Sequence, residues 1–307
     1  MLRRTAGAVA TLFGVAALVF LLMAAAPGDP AALAARASGR AYAVSPEAIN
    51  AFRVTYGLDK PLPARFVTWL GRAATLDFGR SFADGRPVTE RILESLPATL
   101  LLNAGSLVLA LLLAVPCGVA AARRPGGLFD RVSAALSDIL FAAPTFALGL
   151  LLLLLFSVRL GWTPLFADAR WGLRGLLLPV VTLALPSVAA LTQFVRRCVL
   201  EALDTPPALA GRARGEGEGE ATSRALRRSA VPFAAMGAAL LPTALSGSVL
   251  VERLFSVRGT GDLLAEAVFA RDYPTVLGLT VLVGAAVVAA SLGADLVSAV
   301  LDPRTRS

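Results

Sequence analysis

Few residues in this chain are equipped for chemistry, and the absences narrow the field first. There is no histidine among 307 residues, and the two cysteines, Cys117 and Cys198, stand far apart in the sequence. Without imidazole and without a CxxC pair, the usual zinc and haem constellations cannot be assembled, so no metal site is expected. The cysteines read as small apolar filler. No GxxxxGK[ST] occurs, so the chain carries no P-loop with which to hydrolyse ATP itself. What remains are polar side chains isolated inside apolar runs: Asn103, Asp138, Gln193 and Asp295. Such a side chain either lines a pathway for a polar solute or hydrogen-bonds a neighbouring helix. Together with scattered serines, Asp138 and Asp295 would be the raw material of a membrane-embedded lipid-modifying enzyme. That rival reading lacks any histidine base.

The elements that must position these groups are apolar. The chain is 56% hydrophobic and only 16% charged, against roughly 25% charged for a soluble domain. Six runs are long enough to cross a bilayer: Ala6 to Ala26, Leu96 to Ala121, Arg131 or Val132 to Ser157, Leu176 to Val195, Ala230 to Val251 and Thr275 to Val300. The first follows Arg3 and Arg4 and ends in Ala24-Ala25-Ala26, which mimics a signal-peptide cleavage site; its length favours a retained anchor. Prolines 97, 116, 179 and 186 fall inside spans, where neighbouring helices satisfy the freed backbone groups. The expected fold is an all-α membrane protein of six transmembrane helices, divided into an N-terminal span (1–27), an external segment (28–95) and a five-helix core (96–307) with a polar loop at 198–229.

The external segment has its own local grammar. Ser45-Pro46-Glu47 reads as a helix start, Ile49, Phe52 and Tyr56 recur at helical spacing, and Gly57 is a stop. A second short helix is expected from Leu62 to about Ala73, with Phe66 and Trp69 suited to a membrane interface. Orientation follows from arginine. Fourteen basic residues lie at the termini and in the 122–131 and 196–228 loops, against six in the two short loops opposite. Both termini and the 196–228 loop are therefore placed in the cytoplasm. The net charge of +8 is explained by these flanking arginines, and no nucleic-acid partner is expected, since no basic–aromatic module accompanies them.

Several stretches, in order and at their spacing, resemble a known family. They are LFGVAALVFLLMAAAPGDPAA (from Leu12), SPEAINAFRVTYGLDKPLPARFVTWL (from Ser45), LDFGRSFADGRPVTERILESLPATL (from Leu76), VRLGWTPL (from Val158), LVERLFSVRGTGDLLAEAVFARDYP (from Leu250) and LDPRTR (from Leu301). The chain is similar across nearly its whole length to the dipeptide/oligopeptide and nickel permeases of bacterial ABC importers. The resemblance implies a type I importer permease in the bacterial inner membrane, not an enzyme. It also implies alternating access, and partners in a second homologous permease, two cytoplasmic ATPases that bind the ATP, an extracytoplasmic substrate-binding protein and membrane lipid. No cofactor of its own is implied. Peptide is the substrate it suggests, with nickel or a nickel chelate as the alternative.

By the same resemblance, the ATPase-coupling element falls on Leu200, Glu201, Leu203, Leu209, Ala210, Gly211, Arg212, Ala213, Arg214 and Gly215. Here the chain departs from the family pattern: Pro206-Pro207 replace an acidic–aromatic pair, Leu209 a basic residue and Gly211 an alanine. The GEGEGE run at 215–220 fits worst. If helical, its three glycines cost about 3 kcal/mol against alanine, and Glu216 to Glu220 is expected to be the loosest part. The prolines suit a first helical turn. Glu252, Arg253, Gly259, Gly261, Asp272 and Tyr273 match the family's external gate and binding-protein contact region.

Overall fold

The computed structural model describes residues 2–25, 29, 32, 46–166, 172–229, 233, 236 and 249–301; side chains are described for these except at 2–6, 8, 9, 48, 212, 218, 228 and 294–301. Every regular element among them is helical. In chain order they are α1 (Leu2–Ala25), α2 (Pro46–Thr55), α3 (Leu62–Ala73), α4 (Val88–Arg123), α5 (Leu128–Ala142), α6 (Thr145–Leu152), a π-helical continuation (Leu153–Arg159), α7 (Leu173–Leu203), α8 (Pro206–Ala213), α9 (Glu218–Arg228), α10 (Val249–Leu254), α11 (Thr260–Phe269) and α12 (Tyr273–Leu301).

Among the described residues three helices are long and apolar enough to cross a membrane: α4, α7 and the Tyr273–Gly293 part of α12. The pair α5 and α6 with its π-helical continuation makes a fourth if counted as one span, and it is bent by 105°. That bend departs from the unbroken run expected over 131–157. Its cause is Pro144: the residue before a proline is pushed out of the α region, and Ala143 is extended at ψ 133°. In α1 the apolar part is the shorter run Ala10–Ala25. The run expected at Ala230 to Val251 lies largely outside the described residues. Helices α4 and α7 overrun their apolar stretches, starting eight residues before Leu96 and ending eight after Val195 respectively.

The chain divides into two compact units. The first comprises 1–99, 245–249 and 258–289. In it, α2 begins at Pro46 with Glu47 in its first turn, and Gly57 takes φ +64° just past its end, as its start and stop residues required. Phe52, Tyr56, Phe82 and Tyr273 form an aromatic cluster with centroid separations of 4.3 to 6.1 Å. A second core gathers Ala73, Phe78, Val88, Ile92, Leu263 and Leu279.

The second unit comprises 100–244, 250–257 and 290–307, and α7 is its axis. Both α5 and α6 pack on it, as does α9. The helices α4 and α7 touch where Gly118 meets the Thr192 carbonyl: a Cβ there would lie 2.7 Å from that oxygen and from Val195 Cβ. Close backbone approach through a small residue is how helices associate where lipid supplies no hydrophobic drive.

Candidate functional site

The residues assigned to ATPase coupling fall on two helices, not one. Leu200, Glu201 and Leu203 belong to the last turn of α7, beyond its apolar run. The chain then breaks at Asp204 and Thr205, and Pro206 and Pro207 open α8, where their missing N–H groups cost nothing. The end of α8 is a Schellman-type stop. Gly215 takes φ +86°, and the Glu216 N–H donates to the Gly211 carbonyl at 3.1 Å. Leu209, Ala210 and Ala213 lie exposed on α8, with Ala208 and Gly211 turned inward, and Arg214 is exposed in the turn beyond it. The side chain of Arg212 lies outside the described set.

The GEGEGE run corrects its expectation. Gly215 is the left-handed stop, Gly217 is the extended N-cap of α9 (φ −68°, ψ 149°), and Gly219 alone sits inside a helix. The helix penalty therefore applies once, at about 1 kcal/mol. Glu216 is nearly buried, and its Oε1 lies 2.5 Å from Arg224 Nη2, an ion pair by distance without hydrogen-bond alignment, which clasps the turn to α9. A methyl group at 211 would meet Glu216 Oε2 and Arg224 Nη1, so a side chain there displaces the ends of this pair. Helix α9 is seated by Ala221 and Ala225 against Val119, Ala122, Val195, Val199 and Leu203. Ser229 Oγ donates to the Cys198 carbonyl at 3.2 Å.

A second anchor of this region escaped the sequence reading. Arg196 donates from Nε to Asp130 Oδ1 at 2.5 Å and from Nη2 to Oδ2 at 2.8 Å, a bidentate pair. The Gly126 N–H also donates to Asp130, which is 5% exposed. By sequence alone, Arg196 reads only as a membrane-flanking charge. The available signal was an aspartate in the first turn of a helix after Gly126-Gly127.

The polar span residues sort by burial. Asn103 is buried. Gln193 donates to Ser137 Oγ at 3.3 Å, a helix-to-helix bond between α7 and α5. Asp138 is exposed on α5. Asp295 lies on α12, and its side chain is outside the described set.

Of the external-gate residues, Glu252, Gly259, Gly261, Asp272 and Tyr273 are buried, and Arg253 is exposed. Asp272 is a hub within the first unit. It accepts from Ser81 Oγ (2.6 Å), Phe82 N (2.8 Å), Thr275 Oγ1 (2.6 Å) and Arg91 Nη1 (3.2 Å). Arg91 also reaches Asp84 and Glu266, each at 3.4 Å. Burial raises the Asp84 pKa; hydrogen bonds from Arg86 N–H and Ser81 and the Arg91 charge outweigh it, and the net shift is downward. Asp272 is thus tied inward, locking the 80–91 turn, and offers no surface of its own. Exposed Glu266, Val268 and Phe269 supply the open surface of α11.

Among the described residues no group of three or more Cys, Asp or Glu side chains is arranged to hold a metal. Residues 114–307 match the family described as "Binding-protein-dependent transport system inner membrane component", and residues 1–103 match its N-terminal partner family. The oligopeptide transport system permease protein AppB of Bacillus subtilis is 34% identical, over 99% of this chain and 98% of that protein. The dipeptide permease DppB of Lactococcus lactis is 31% identical over 100% and 98%. The glutathione permease GsiC of Salmonella choleraesuis is 33% identical over the same shares. With a helical fold of apolar spans and near-complete coverage by both family segments, the chain belongs to the binding-protein-dependent transport system inner membrane components.

Proposed function

We propose that this chain is a permease subunit of a peptide-importing ABC transporter. It supplies the pathway and the lever and catalyses no bond-breaking step. Relatives named for oligopeptide, dipeptide and glutathione transport support peptide over a nickel chelate. The observation that carries the mechanism is α8, presented on the end of α7 with an exposed face and held by the Glu216–Arg224 clasp. A short helix offered to a groove is a recurrent recognition mode. Two ATPase subunits engage α8 and its counterpart on a second permease from the cytoplasmic side. Their closure pulls on α7, whose base is tied to α5 by Asp130–Arg196. The spans then swing outward-open, and release reverses the motion. Six spans, cytoplasmic termini and an external 28–95 segment complete the reading, supported by the arginine distribution. An external binding protein docks on the external side, on the exposed face of α11. The chain needs no cofactor of its own.

Exposed Asp138 is the pathway candidate. An acid bare to hydrocarbon is costly, so it faces a water-filled path or the partner permease. Reconstitution with the partner permease, ATPases and binding protein tests the reading: peptide-loaded binding protein should stimulate ATP hydrolysis. Hydrolysis indifferent to every peptide, or no co-purifying ATPase, would overturn it.

A further inference from the structure

A cavity of about 640 Å³ opens within the first unit, and no role has yet been given to it. Its walls carry two chemistries. Phe20 and Met23 from the last turns of α1, with Leu277 from the start of α12, make it apolar. Its rim is cationic: Lys60, Arg65, Arg72 and Arg80 line it, against Asp77 alone. Asp77 already accepts from the Gly79 N–H at 3.0 Å, and Arg80 donates to the Gly85 carbonyl at 2.9 Å. Among the described residues, Lys60, Arg65 and Arg72 have no carboxylate within ion-pair distance.

Two groups here want an acceptor. Arg65 is half-buried, its guanidinium 6.0 Å from the centroid of the Phe20 ring. Burial pulls its pKa down, partly offset by Tyr273. The indole N–H of Trp69, in the cavity wall, is enclosed by protein and has no hydrogen-bond partner among the described residues. Burying a donor without an acceptor is unfavourable, and a guanidinium is matched best by carboxylate or phosphate. Position adds a constraint. The cavity lies at the end of α1 remote from Arg3 and Arg4, beside the interfacial pair Phe66 and Trp69, whose centroids are 6.1 Å apart.

We propose that this cavity binds an anionic phospholipid, its phosphate on Arg65 and Arg72 and its first acyl carbons along Phe20 and Leu277. The placement rests on reading α1 and α12 as membrane spans. Phosphatidylglycerol fits the charge, because it carries no ammonium to oppose Lys60 and the arginines. Free inorganic phosphate shares the rim chemistry and leaves the apolar wall uncovered.

The test uses the full-length protein in phosphatidylcholine nanodiscs, with phosphatidylglycerol or inorganic phosphate added and adducts counted by native mass spectrometry. Phosphatidylglycerol should be retained, and Arg65→Gln and Arg72→Gln should each weaken retention about tenfold. Arg124→Gln, in the other unit, should not change it. Melting in phosphatidylcholine alone reports folding; should Arg65→Gln prove unstable, Arg72→Gln, at an exposed position, carries the test. Equal retention by all variants, no adduct on the unmodified protein, or displacement of the lipid by millimolar phosphate would each overturn the proposal. The readout is lipid on the chain, not transport, so failure here leaves the permease reading standing, and that reading falls on its own test.

Discussion

Asp272 shows what a single buried carboxylate holds together. Four donors converge on it from the 80–91 region and from Thr275. Asp272→Ala strands three neutral donors and leaves Arg91 with its 3.4 Å contacts to Asp84 and Glu266, and should destabilise the first unit by about 3 kcal/mol. Thermal unfolding in nanodiscs checks this; a loss below about 1 kcal/mol would mean that water replaces the carboxylate. Asp138 and Gln193 should behave in opposite ways. Asp138→Leu should leave assembly with the ATPases intact and abolish peptide-stimulated hydrolysis, as expected of a pathway group. Gln193→Leu removes one interhelical bond and should cost only about 0.6 kcal/mol of stability, with hydrolysis unchanged.

The α8–α9 module is where elements act together. Its geometry depends on Gly211 leaving room for the Glu216 carboxylate against Arg224. Gly211→Ala should expel that carboxylate, loosen α8 and weaken ATPase association. Glu216→Ala in the same chain should add little further loss, because the clasp is already broken. A double-mutant cycle read by ATPase co-purification should give a coupling of about 1 kcal/mol. Purely additive effects would dissolve the clasp. The Asp130–Arg196 pair is independent of it, and Asp130→Asn should cost about 2 kcal/mol by leaving a guanidinium half-paired.

Across the whole molecule, orientation is the open quantity with the simplest assay. Lys60 is the only lysine and is exposed. A membrane-impermeant amine reagent applied to spheroplasts should label the protein from outside, and Lys60→Arg should abolish the labelling. Labelling only after the membrane is opened would invert the topology. The arginine asymmetry makes the first outcome the expected one.

The sequence alone determined whatever depends on local chemistry. Apolar runs of span length, Pro46 and Gly57 bounding α2, and prolines opening α8 are all decided within a few residues. The motifs carrying the family resemblance were equally legible, since they are strings. Tertiary structure decided the rest, because the deciding contacts join residues far apart in the chain. Asp272 reads as an exposed gate residue until Ser81, Phe82 and Arg91 are seen around it. Arg196 reads as a flanking charge until Asp130 lies beneath it. GEGEGE reads as a weak helix until the chain turns at Gly215, Glu216 finds Arg224, and the three glycines become a stop, a cap and one interior residue. Pairings that span a turn, a helix or half the chain leave no periodic trace, so only the packed structure reveals them.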